Sequence, residues 1–337
     1  MATVGIIPNP HSGKDIRRLT AKASIVGNQD KVNIISRVFA GLYMSGVSKV
    51  KVMPDLYDIS KQAVHRVRTQ FPEFIYKIEY LDMELSNSDS DSIRAAKLMS
   101  TNNIGCIVVL GGDGTTRIVA KGCGEIPLLP LSAGTNNVIP YLIDGSIAGL
   151  CAGYIASLDM SQRNSLCRQH KRIEVWINGK MVDIALIDLA VSVGSFTGAR
   201  SIWDLSELRQ IVVTSASPLN IGLSAIIGIL YPISEQDDFG AMAIVNPKSH
   251  PYYHSIAPIG PGLIRKITLS QIEKIELGNA YEIVSERPVV LSLDGERELV
   301  LQDKDIAHIV LNRNGPWIID VKKAMLEAMS RRFFEYR

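Results

Sequence analysis

A continuous apolar run at residues 105–110 is followed directly by the sequence Gly111-Gly112-Asp113-Gly114. A strand without polar alternation has to be buried on both faces, as the central strands of parallel sheets are. The glycines end this strand, and a helical pattern starts near Thr115. The segment therefore predicts a strand, a glycine turn and a helix inside a parallel sheet that helices cover on both sides.

The rest of the first half alternates in the same way. Short apolar runs that predict strands precede segments with helical spacing or capping signals. The predicted strands are Thr3–Pro8, Lys49–Met53, Phe74–Leu81, Gly105–Leu110 and Ile126–Leu131, and the other predicted helices are Asp15–Ser24, Asp30–Ser45, Ile59–Thr69 and Asp89–Thr101. This alternation predicts a Rossmann-like parallel α/β domain.

The second half shows short β runs separated by turn residues. Asn178-Gly179 between Arg172–Ile177 and Lys180–Ala190 is a strong hairpin signal. Further predicted strands are Ala241–Asn246, Leu263–Leu269, Lys274–Leu277, Val289–Leu293 and Glu298–Leu301. We expect an α/β domain at residues 1–160, a mainly antiparallel β domain at 161–315, and a C-terminal helix within 316–337 that packs back on the first domain.

Composition excludes several classes of protein. A chain of 337 residues with 46% hydrophobic residues suits two well-packed domains, and a net charge of +2 gives no basic field for nucleic acid. The four cysteines form no C-x-x-C pair, which favours a reduced, cytoplasmic protein. The first residues do not resemble a signal peptide, and the apolar stretch Ile221–Ile233 is too short to span a bilayer. We therefore expect neither nucleic acid nor integral membrane association.

The glycine turn is the strongest candidate for chemistry. Gly111, Gly112 and Gly114 would let the backbone approach a phosphate, and the start of the next helix offers free N–H groups. Among them, the carboxylate of Asp113 could hold Mg²⁺ or accept a proton from an attacking hydroxyl. The alternative is a tight turn in which Asp113 only caps the helix. Arg117 stands where a Rossmann G-x-G-x-x-G motif would need glycine.

Two further polar loops follow predicted strands. Asn9, Ser12, Gly13 and Lys14 come after the first strand, and Gly134, Thr135, Asn136 and Asn137 come after Ile126–Leu131. Alone, each could equally be an ordinary turn or a helix cap. Because parallel strands share one carboxyl edge, we expect these loops and the glycine turn, including Thr115, to form one site for nucleotide phosphates and Mg²⁺.

The β half carries three acidic candidates. Asp294 and Glu296 lie in Leu293-Asp294-Gly295-Glu296, which is either a plain hairpin turn or a carboxylate pair that acts on metal or acceptor. Asp188 lies in the apolar stretch Ala185–Val191, where an unpaired charge is costly. It either contacts an acceptor hydroxyl or pairs with a buried partner.

These residues carry a family resemblance. Gly111–Thr115 resembles the signature that NAD kinases, diacylglycerol kinases and, more loosely, phosphofructokinases share. The loops at 9–14, 134–136 and 293–296 look like those of diacylglycerol kinases. Over nearly its whole length the chain resembles the acetoin catabolism protein X family, which is ATP-NAD kinase-like. The segments that carry this likeness are Gly5–Pro10, Asp15–Leu19, Phe196–Asp204 and Ile221–Gly228.

The resemblance implies a C-terminal β-sandwich and a homo-oligomer, dimer or tetramer. It implies ATP with Mg²⁺ as donor system, Asp113 as the essential acid and metal ligand, and Glu296 as a second candidate for general base. The implied activity is phosphorylation of a hydroxyl of NAD(H) or a related metabolite, as in NADP biosynthesis. Asn137, Asp188 and Asp294 are the candidate acceptor ligands.

The chain also departs from NAD kinases. They carry Asn-Glu in the first hairpin of the β domain, where this chain has Ile187-Asp188. Their dinucleotide-binding segment is poorly matched by Thr214–Asn220. Two alternatives therefore stay open: a kinase of a lipid or polyol, and a non-catalytic nucleotide-binding regulator of acetoin-type catabolism.

Overall fold

The computed structural model describes residues 2–12, 27–132, 137–193, 205–245, 253–283, 288–295 and 297–336. The strands within these ranges are β1 Thr3–Pro8, β2 Lys49–Val52, β3 Ile78–Tyr80, β4 Cys106–Gly111, β5 Leu128–Ser132, β6 Cys167–Gln169, β7 Arg172–Ile177, β8 Lys180–Ala185, β9 Asp188–Val193, β10 Leu208–Val213, β11 Phe239–Ile244, β12 Tyr253–Gly260, β13 Leu263–Leu269, β14 Gln271–Glu276, β15 Ala280–Glu282, β16 Val289–Leu293, β17 Arg297–Leu301, β18 Ala307–Asn312 and β19 Trp317–Ile319. The helices are α1 Asn28–Met44, α2 Ile59–Gln70, α3 Asp89–Ser100, α4 Asp113–Ala120, α5 Gly145–Ser157, α6 Met160–Ser165, α7 Leu223–Gly228 and α8 Val321–Ser330, with a 3-10 helix at Pro72–Lys77.

The described residues fall into two compact units. The first comprises residues 2–12, 27–169 and 316–336, and the second lies within residues 170–315. None of the described helices has both the length and the apolar character needed to cross a membrane.

The first unit is built on a seven-stranded sheet in the order β3-β2-β1-β4-β5-β19-β6. Its strands are parallel except β6, which is antiparallel to β19. Strand β4 is buried along its whole length, as its unbroken apolar run predicts. Because β2 and β3 lie on one side of β1 and β4 and β5 on the other, the strand order reverses between β1 and β4. In open α/β sheets, ligands bind beside such a reversal, at the carboxyl ends of the strands.

Helices cover this sheet, and glycines let two of them approach closely. A β-carbon added at Gly41 in α1 would lie 2.8 Å from the α-carbon of Gly149 in α5. At Gly145 an added β-carbon would lie 2.5 Å from the carbonyl oxygen of Ile34. Alanine at these positions would force the helices apart, so the glycines set their separation.

One predicted strand of this unit is wrong in its first part. Residues 74–77 of the predicted strand Phe74–Leu81 belong to the 3-10 helix Pro72–Lys77, and the strand is confined to Ile78–Tyr80. Pro72 stands at the start of the 3-10 helix, where its fixed φ favours a helical turn. The predicted helix Asp15–Ser24 lies outside the described residues.

The second unit consists of antiparallel strands. They form a six-stranded sheet β14-β11-β10-β9-β16-β17, a four-stranded sheet β15-β18-β7-β8 and the hairpin β12-β13. One core cluster combines Ile173 and Ile309 of the four-stranded sheet with Leu189 and Val191 of the six-stranded sheet. The predicted fold, a parallel α/β domain followed by an antiparallel β-sandwich, is confirmed.

The predicted strand Lys180–Ala190 is two strands in the structure. It divides after Ala185, and the chain passes from β8 in the four-stranded sheet to β9 in the six-stranded sheet. The corner itself carries no turn residue, because Ala185, Leu186 and Ile187 are apolar, so the sequence does not reveal this change of sheet.

The C-terminal segment completes the first unit. Strand β19 pairs with β5 on one side and with β6 on the other. Val321, Ala324 and Ala328 of α8 are buried in the core of this unit. The ring of Phe333 packs edge-on against Tyr154 of α5, with 5.0 Å between the ring centroids.

Candidate functional site

The loops after β1 and β4 are joined by a side-chain hydrogen bond. Asn9 Nδ2 donates to Oγ1 of Thr115 over 2.8 Å, and the backbone N–H of Asn9 donates to the carbonyl of Leu110 over 2.9 Å. The structure therefore brings two of the predicted site segments together at the point where the strand order reverses.

The loop after β1 is also held from within. Asn9 Oδ1 accepts from the backbone N–H of His11 at 2.8 Å, and the hydroxyl of Ser12 donates to the carbonyl of Asn9 at 2.9 Å. Gly13 and Lys14, which the sequence also assigns to this loop, lie outside the described residues.

Lys31 is a residue of this site that sequence reasoning missed. Its side chain is fully buried, and Nζ donates to the carbonyls of Asn9, Pro10 and Ser12 over 3.0, 2.8 and 2.5 Å. A signal was present, because Lys31 lies in line with the buried positions Ile35, Val38 and Leu42 of α1. A lysine in register with an apolar helix face calls for a specific partner.

The glycine turn packs tightly on the helix that follows. Helix α4 begins at Asp113, with Gly112 as its N-cap. A β-carbon added at Gly111 would lie 2.5 Å from the β-carbon of Thr115, so the threonine occupies the space of a side chain at Gly111. Thr115 and Gly114 are themselves buried. The turn therefore has one compact form, with its backbone at the sheet edge.

Asp113 reaches across to the loop after β5. Its Oδ2 accepts from the backbone N–H of Val138 at 2.9 Å, and Oδ1 accepts from the backbone N–H of Ile139 at 2.9 Å. The side chain is half-buried. The N-cap of α4 is Gly112, so Asp113 is not a simple helix cap. Its carboxylate instead joins the glycine turn to the loop after β5. These hydrogen bonds fix the orientation of the carboxylate.

The loop after β5 begins at a buried serine. Asn137 Nδ2 donates to Oγ of Ser132 at 2.6 Å, and the backbone N–H of Ser132 donates to the carbonyl of Tyr141 at 2.8 Å. The other predicted residues of this loop, Gly134, Thr135 and Asn136, lie outside the described residues. The described ends of the loop lie beside the glycine turn, because Ser132 pairs with Gly111 and the N–H groups of Val138 and Ile139 donate to Asp113.

A cavity of about 210 Å³ lies at the same sheet edge, on the side of β1, β2 and β3. Its apolar lining includes Pro10, Met53 and Leu85, and Asn9 also lines it. Because Asn9 is bonded to Thr115, the cavity and the glycine turn share a residue.

Aromatic rings lie beside this cavity. The ring of His11, which lines it, packs edge-on against Tyr57 with 5.5 Å between centroids. His11 Nε2 lies 2.9 Å from Oδ1 of Asn87, which joins the loops after β1 and β3.

Carboxylates on the cavity wall are held by backbone amides. Asp55 accepts from the N–H of Ile59 at 2.9 Å, and Asp91 accepts from the N–H groups of Ser86 and Asn87 at 2.9 and 2.8 Å. Burial raises the pKa of Asp91, but the hydrogen bonds from Ser86 and Asn87 outweigh it and bring the pKa below its ordinary value. A negative wall disfavours phosphate, so the cavity suits an uncharged part of a ligand.

Asp188 and Asp294, two of the three acidic candidates of the second half, lie at the corner between β8 and β9. The carboxylate of Asp294 accepts from the backbone N–H groups of Leu186, Ile187 and Asp188 at 2.9, 2.8 and 3.2 Å. Asp294 has a φ of 49°, and its own N–H donates to the carbonyl of Asp188 at 2.9 Å. Asp294 therefore holds the corner that positions Asp188. Glu296 lies outside the described residues.

The donor set suits a metal that phosphates help to bind. Within the part of the chain that the structure describes, no three His, Cys, Asp or Glu side chains form a preassembled metal site. Mg²⁺ at phosphoryl-transfer sites is commonly held by one or two carboxylates together with substrate phosphates. Asp113, fixed beside the glycine turn, fits that arrangement.

Known proteins match both parts of the chain. Residues 4–142 match the ATP-NAD kinase N-terminal domain, and residues 171–314 match the acetoin catabolism protein X C-terminal domain. Acetoin catabolism protein X of Cupriavidus necator is 36% identical over 331 residues, which cover 96% of this chain and 92% of the relative. The chain belongs to the acetoin catabolism protein X family. The resemblance found in the sequence is thereby confirmed.

The candidate residues of this acetoin catabolism protein X family member are distributed over the two matched domains. Asn9, Asp113 and Thr115 lie within the ATP-NAD kinase domain, which supports a kinase activity. Asp188 and Asp294 lie in the domain that carries the name of the acetoin catabolism protein X family. The part of the chain that would handle the phosphoryl donor is therefore of the NAD kinase type, whereas the acceptor is not identified by these matches.

Proposed function

We propose that this protein is a kinase that transfers a phosphoryl group from ATP to a hydroxyl of NAD(H) or a related small metabolite. The observation that carries the proposal is the placement of Asp113. Its carboxylate is held by the amides of Val138 and Ile139 beside a glycine turn, inside a domain of the ATP-NAD kinase type. A charged group fixed in this way is pre-oriented for phosphoryl transfer.

The phosphates and the base of the donor nucleotide would bind at two neighbouring places on the sheet edge. Its phosphates would bind at Gly111–Thr115, where compact backbone and the N-terminus of α4 favour anions. Its base would enter the cavity lined by Pro10, Met53 and Leu85, whose carboxylates disfavour phosphate. Asn9 belongs to both parts. The predicted phosphate contacts of Ser12, Gly13, Lys14, Gly134, Thr135 and Asn136 remain part of this proposal.

Asp113 would serve either as ligand of the donor's Mg²⁺ or as general base. Bound Mg²⁺ would supply positive charge against the transferred phosphoryl oxygens. As a base, Asp113 would take the proton of the acceptor hydroxyl, and Glu296 is the alternative candidate for that task. The amides of Val138 and Ile139 hold the Asp113 carboxylate in one orientation for either role.

A second acceptor class is suggested by the departure of the C-terminal half from NAD kinases. Residues 171–314 match the acetoin catabolism protein X domain, and the Asn-Glu pair of NAD kinases is replaced by Ile187-Asp188. A lipid or polyol acceptor is therefore the second candidate. Acceptor contacts by Asn137, Asp188 and Asp294, a homo-oligomer and a cytoplasmic location remain predictions.

An ADP-release screen tests the proposal. The purified protein is incubated with ATP, Mg²⁺ and NAD, NADH, polyols or lipids, and ADP formation is measured. We expect turnover with one acceptor class and its loss in Asp113→Asn. Asp144→Asn is the matched control, because Asp144 also accepts from a backbone N–H, that of Ser146 at 2.8 Å, but at the start of α5. Nucleotide binding without ADP release for every acceptor would instead support the regulator.

A further inference from the structure

We propose that Lys31 is a positioning residue for the donor phosphates, acting through the loop after β1. This inference rests on the proposed kinase function, because it assigns that loop to the donor. Lys31 is not expected to touch the nucleotide. Its ammonium group holds the backbone of residues 9–12 in the shape that the phosphates and the glycine turn require.

Lys31 donates three hydrogen bonds to the backbone of the loop after β1. Nζ donates to the carbonyls of Asn9, Pro10 and Ser12, within 3.0 Å of each. An ammonium group has three N–H donors, which is enough for a hydrogen bond to each of the three carbonyls. The carbonyl groups of Asn9, Pro10 and Ser12 therefore all point toward the ammonium group of Lys31.

Burial makes these hydrogen bonds strong. The Lys31 side chain has no exposed surface, and water therefore cannot replace a lost donor without a rearrangement of the loop. A buried positive charge is also screened less by salt than a surface charge. It lies directly behind a loop that the proposed function assigns to anionic phosphates, so its field favours them as well.

A chain of contacts connects Lys31 to the glycine turn. Lys31 fixes the carbonyl of Asn9, and the Asn9 side chain donates to Oγ1 of Thr115. Thr115 in turn fills the space beside Gly111. A displaced Asn9 would therefore disturb both the loop after β1 and the turn that is proposed to bind the phosphates.

The matched control is a second buried lysine with the same kind of partners. Lys171, in the second unit, is 1% exposed and donates through Nζ to the carbonyls of Ser234 and Phe239 at 3.1 and 2.6 Å. Replacement of either lysine by methionine keeps an unbranched side chain of similar length but removes the positive charge and the N–H donors. Both changes cost stability, but only the change at Lys31 affects the proposed donor site.

The experiment measures binding of Mg²⁺-ADP by calorimetry and melting temperature for wild type, Lys31→Met, Lys31→Arg and Lys171→Met. We expect Lys31→Met to weaken binding by roughly tenfold or more, and Lys31→Arg, which keeps the charge, to recover part of the affinity. Lys171→Met should lower the melting temperature yet retain wild-type affinity. In the kinase assay, the KM for ATP should rise in Lys31→Met more than the KM for the acceptor.

Several outcomes would overturn the inference. Wild-type affinity in Lys31→Met, or an equal loss in Lys31→Met and Lys171→Met, would show a purely structural role for Lys31. If Lys31→Met does not fold, Lys31→Gln, which keeps two donors without the charge, decides in its place, and wild-type affinity there rejects the proposal. Absence of Mg²⁺-ADP binding by the wild type would reject the donor-site assignment itself, and thus the proposed function together with the inference.

Discussion

The side-chain amide of Asn9 and the hydroxyl of Thr115 are 2.8 Å apart, although 106 positions separate them in the chain. The bond connects the first loop of the α/β unit to the glycine turn that follows its central strand. Asn9 also lines the cavity at the sheet edge, so one residue belongs to both proposed halves of the nucleotide site.

This bond can be measured by a double-mutant cycle. Asn9→Ala removes the donor, and Thr115→Val removes the acceptor while keeping the shape that packs against Gly111. We expect a coupling energy of about 0.5–1.5 kcal/mol in equilibrium unfolding, typical of one hydrogen bond. Additive effects of the two changes would mean that the bond does not contribute to stability.

Asp113→Asn should reduce both turnover and stability. Loss of a general base alone lowers the rate about 10²–10⁴-fold. Asparagine replaces one acceptor oxygen by an NH₂ group facing the N–H of Val138 or Ile139, which should cost about 1–3 kcal/mol. Steady-state kinetics and urea unfolding test the two effects. Near wild-type turnover of Asp113→Asn on the true acceptor would reject the catalytic role.

Gly111→Ala should weaken nucleotide binding, because its β-carbon would lie 2.5 Å from that of Thr115 and the turn would have to move. Gly46→Ala is the comparison. Gly46 has a φ of 75° and no atom within 4 Å of an added β-carbon, so alanine there strains the backbone without a clash. We expect both variants to be less stable in thermal melts, and only Gly111→Ala to lose affinity for Mg²⁺-ADP. Unchanged affinity in Gly111→Ala would contradict the phosphate-binding role of the turn.

Lys171 should make the unfolding free energy depend on pH. Burial, with a contribution from Arg313, lowers the pKa of Lys171 from 10.5 to about 8. Between these pH values the unfolded chain binds a proton that the folded chain has released, so rising pH favours the folded state. Below about pH 8 Lys171 is charged in the folded state, and the cost of burying that charge lowers the unfolding free energy in full. Relative to Lys171→Met, the wild type should gain on the order of 1–2 kcal/mol of unfolding free energy from about pH 7.5 to 9.5. A constant difference would contradict the lowered pKa.

Asp188 and Asp294 should differ in what their loss affects. Asp294→Asn places an NH₂ group against the N–H groups of Leu186, Ile187 or Asp188 and should cost about 1–3 kcal/mol of stability. Asp188→Asn should instead raise the KM for the acceptor once that acceptor is known. Kinetics and thermal melts on both variants separate the two roles. A KM that stays at the wild-type value in Asp188→Asn would remove Asp188 from the acceptor site.

The sequence predicted the α/β unit well because its signals are local. Local sequence alone predicts the buried strand β4 from its apolar run and the start of α3 from its capping serine.

Predicted strands of both units match the observed strands at both ends, among them Thr3–Pro8, Leu263–Leu269 and Val289–Leu293. Strand β19 was missed, since three residues give no periodicity, and its position depends on pairing with β5.

The proposed site was predictable in its loops but not in its connections. Glycines after a buried strand indicate a phosphate turn from their own sequence. That Asp113 accepts from Val138 and Ile139, or that Lys31 donates to the loop after β1, depends on the tertiary fold. Lys31 carried a weak signal as a charge in an apolar helix face, but its partners are distant in sequence.

The position of β19 governs the order in which the first unit can be completed during synthesis. The strand lies between β5 and β6, and α8 adds buried residues to the same core, so this sheet lacks an inner strand until residues 317–319 have left the ribosome. The second unit, all of whose described strands lie within residues 170–315, can form earlier. A fragment that ends at Gln169 would leave Leu128 of β5 and the whole of β6 without their partner strand β19, and unpaired strand edges invite aggregation. The seven-stranded sheet can therefore be completed only after Trp317–Ile319 has been synthesised, later than every described strand of the second unit.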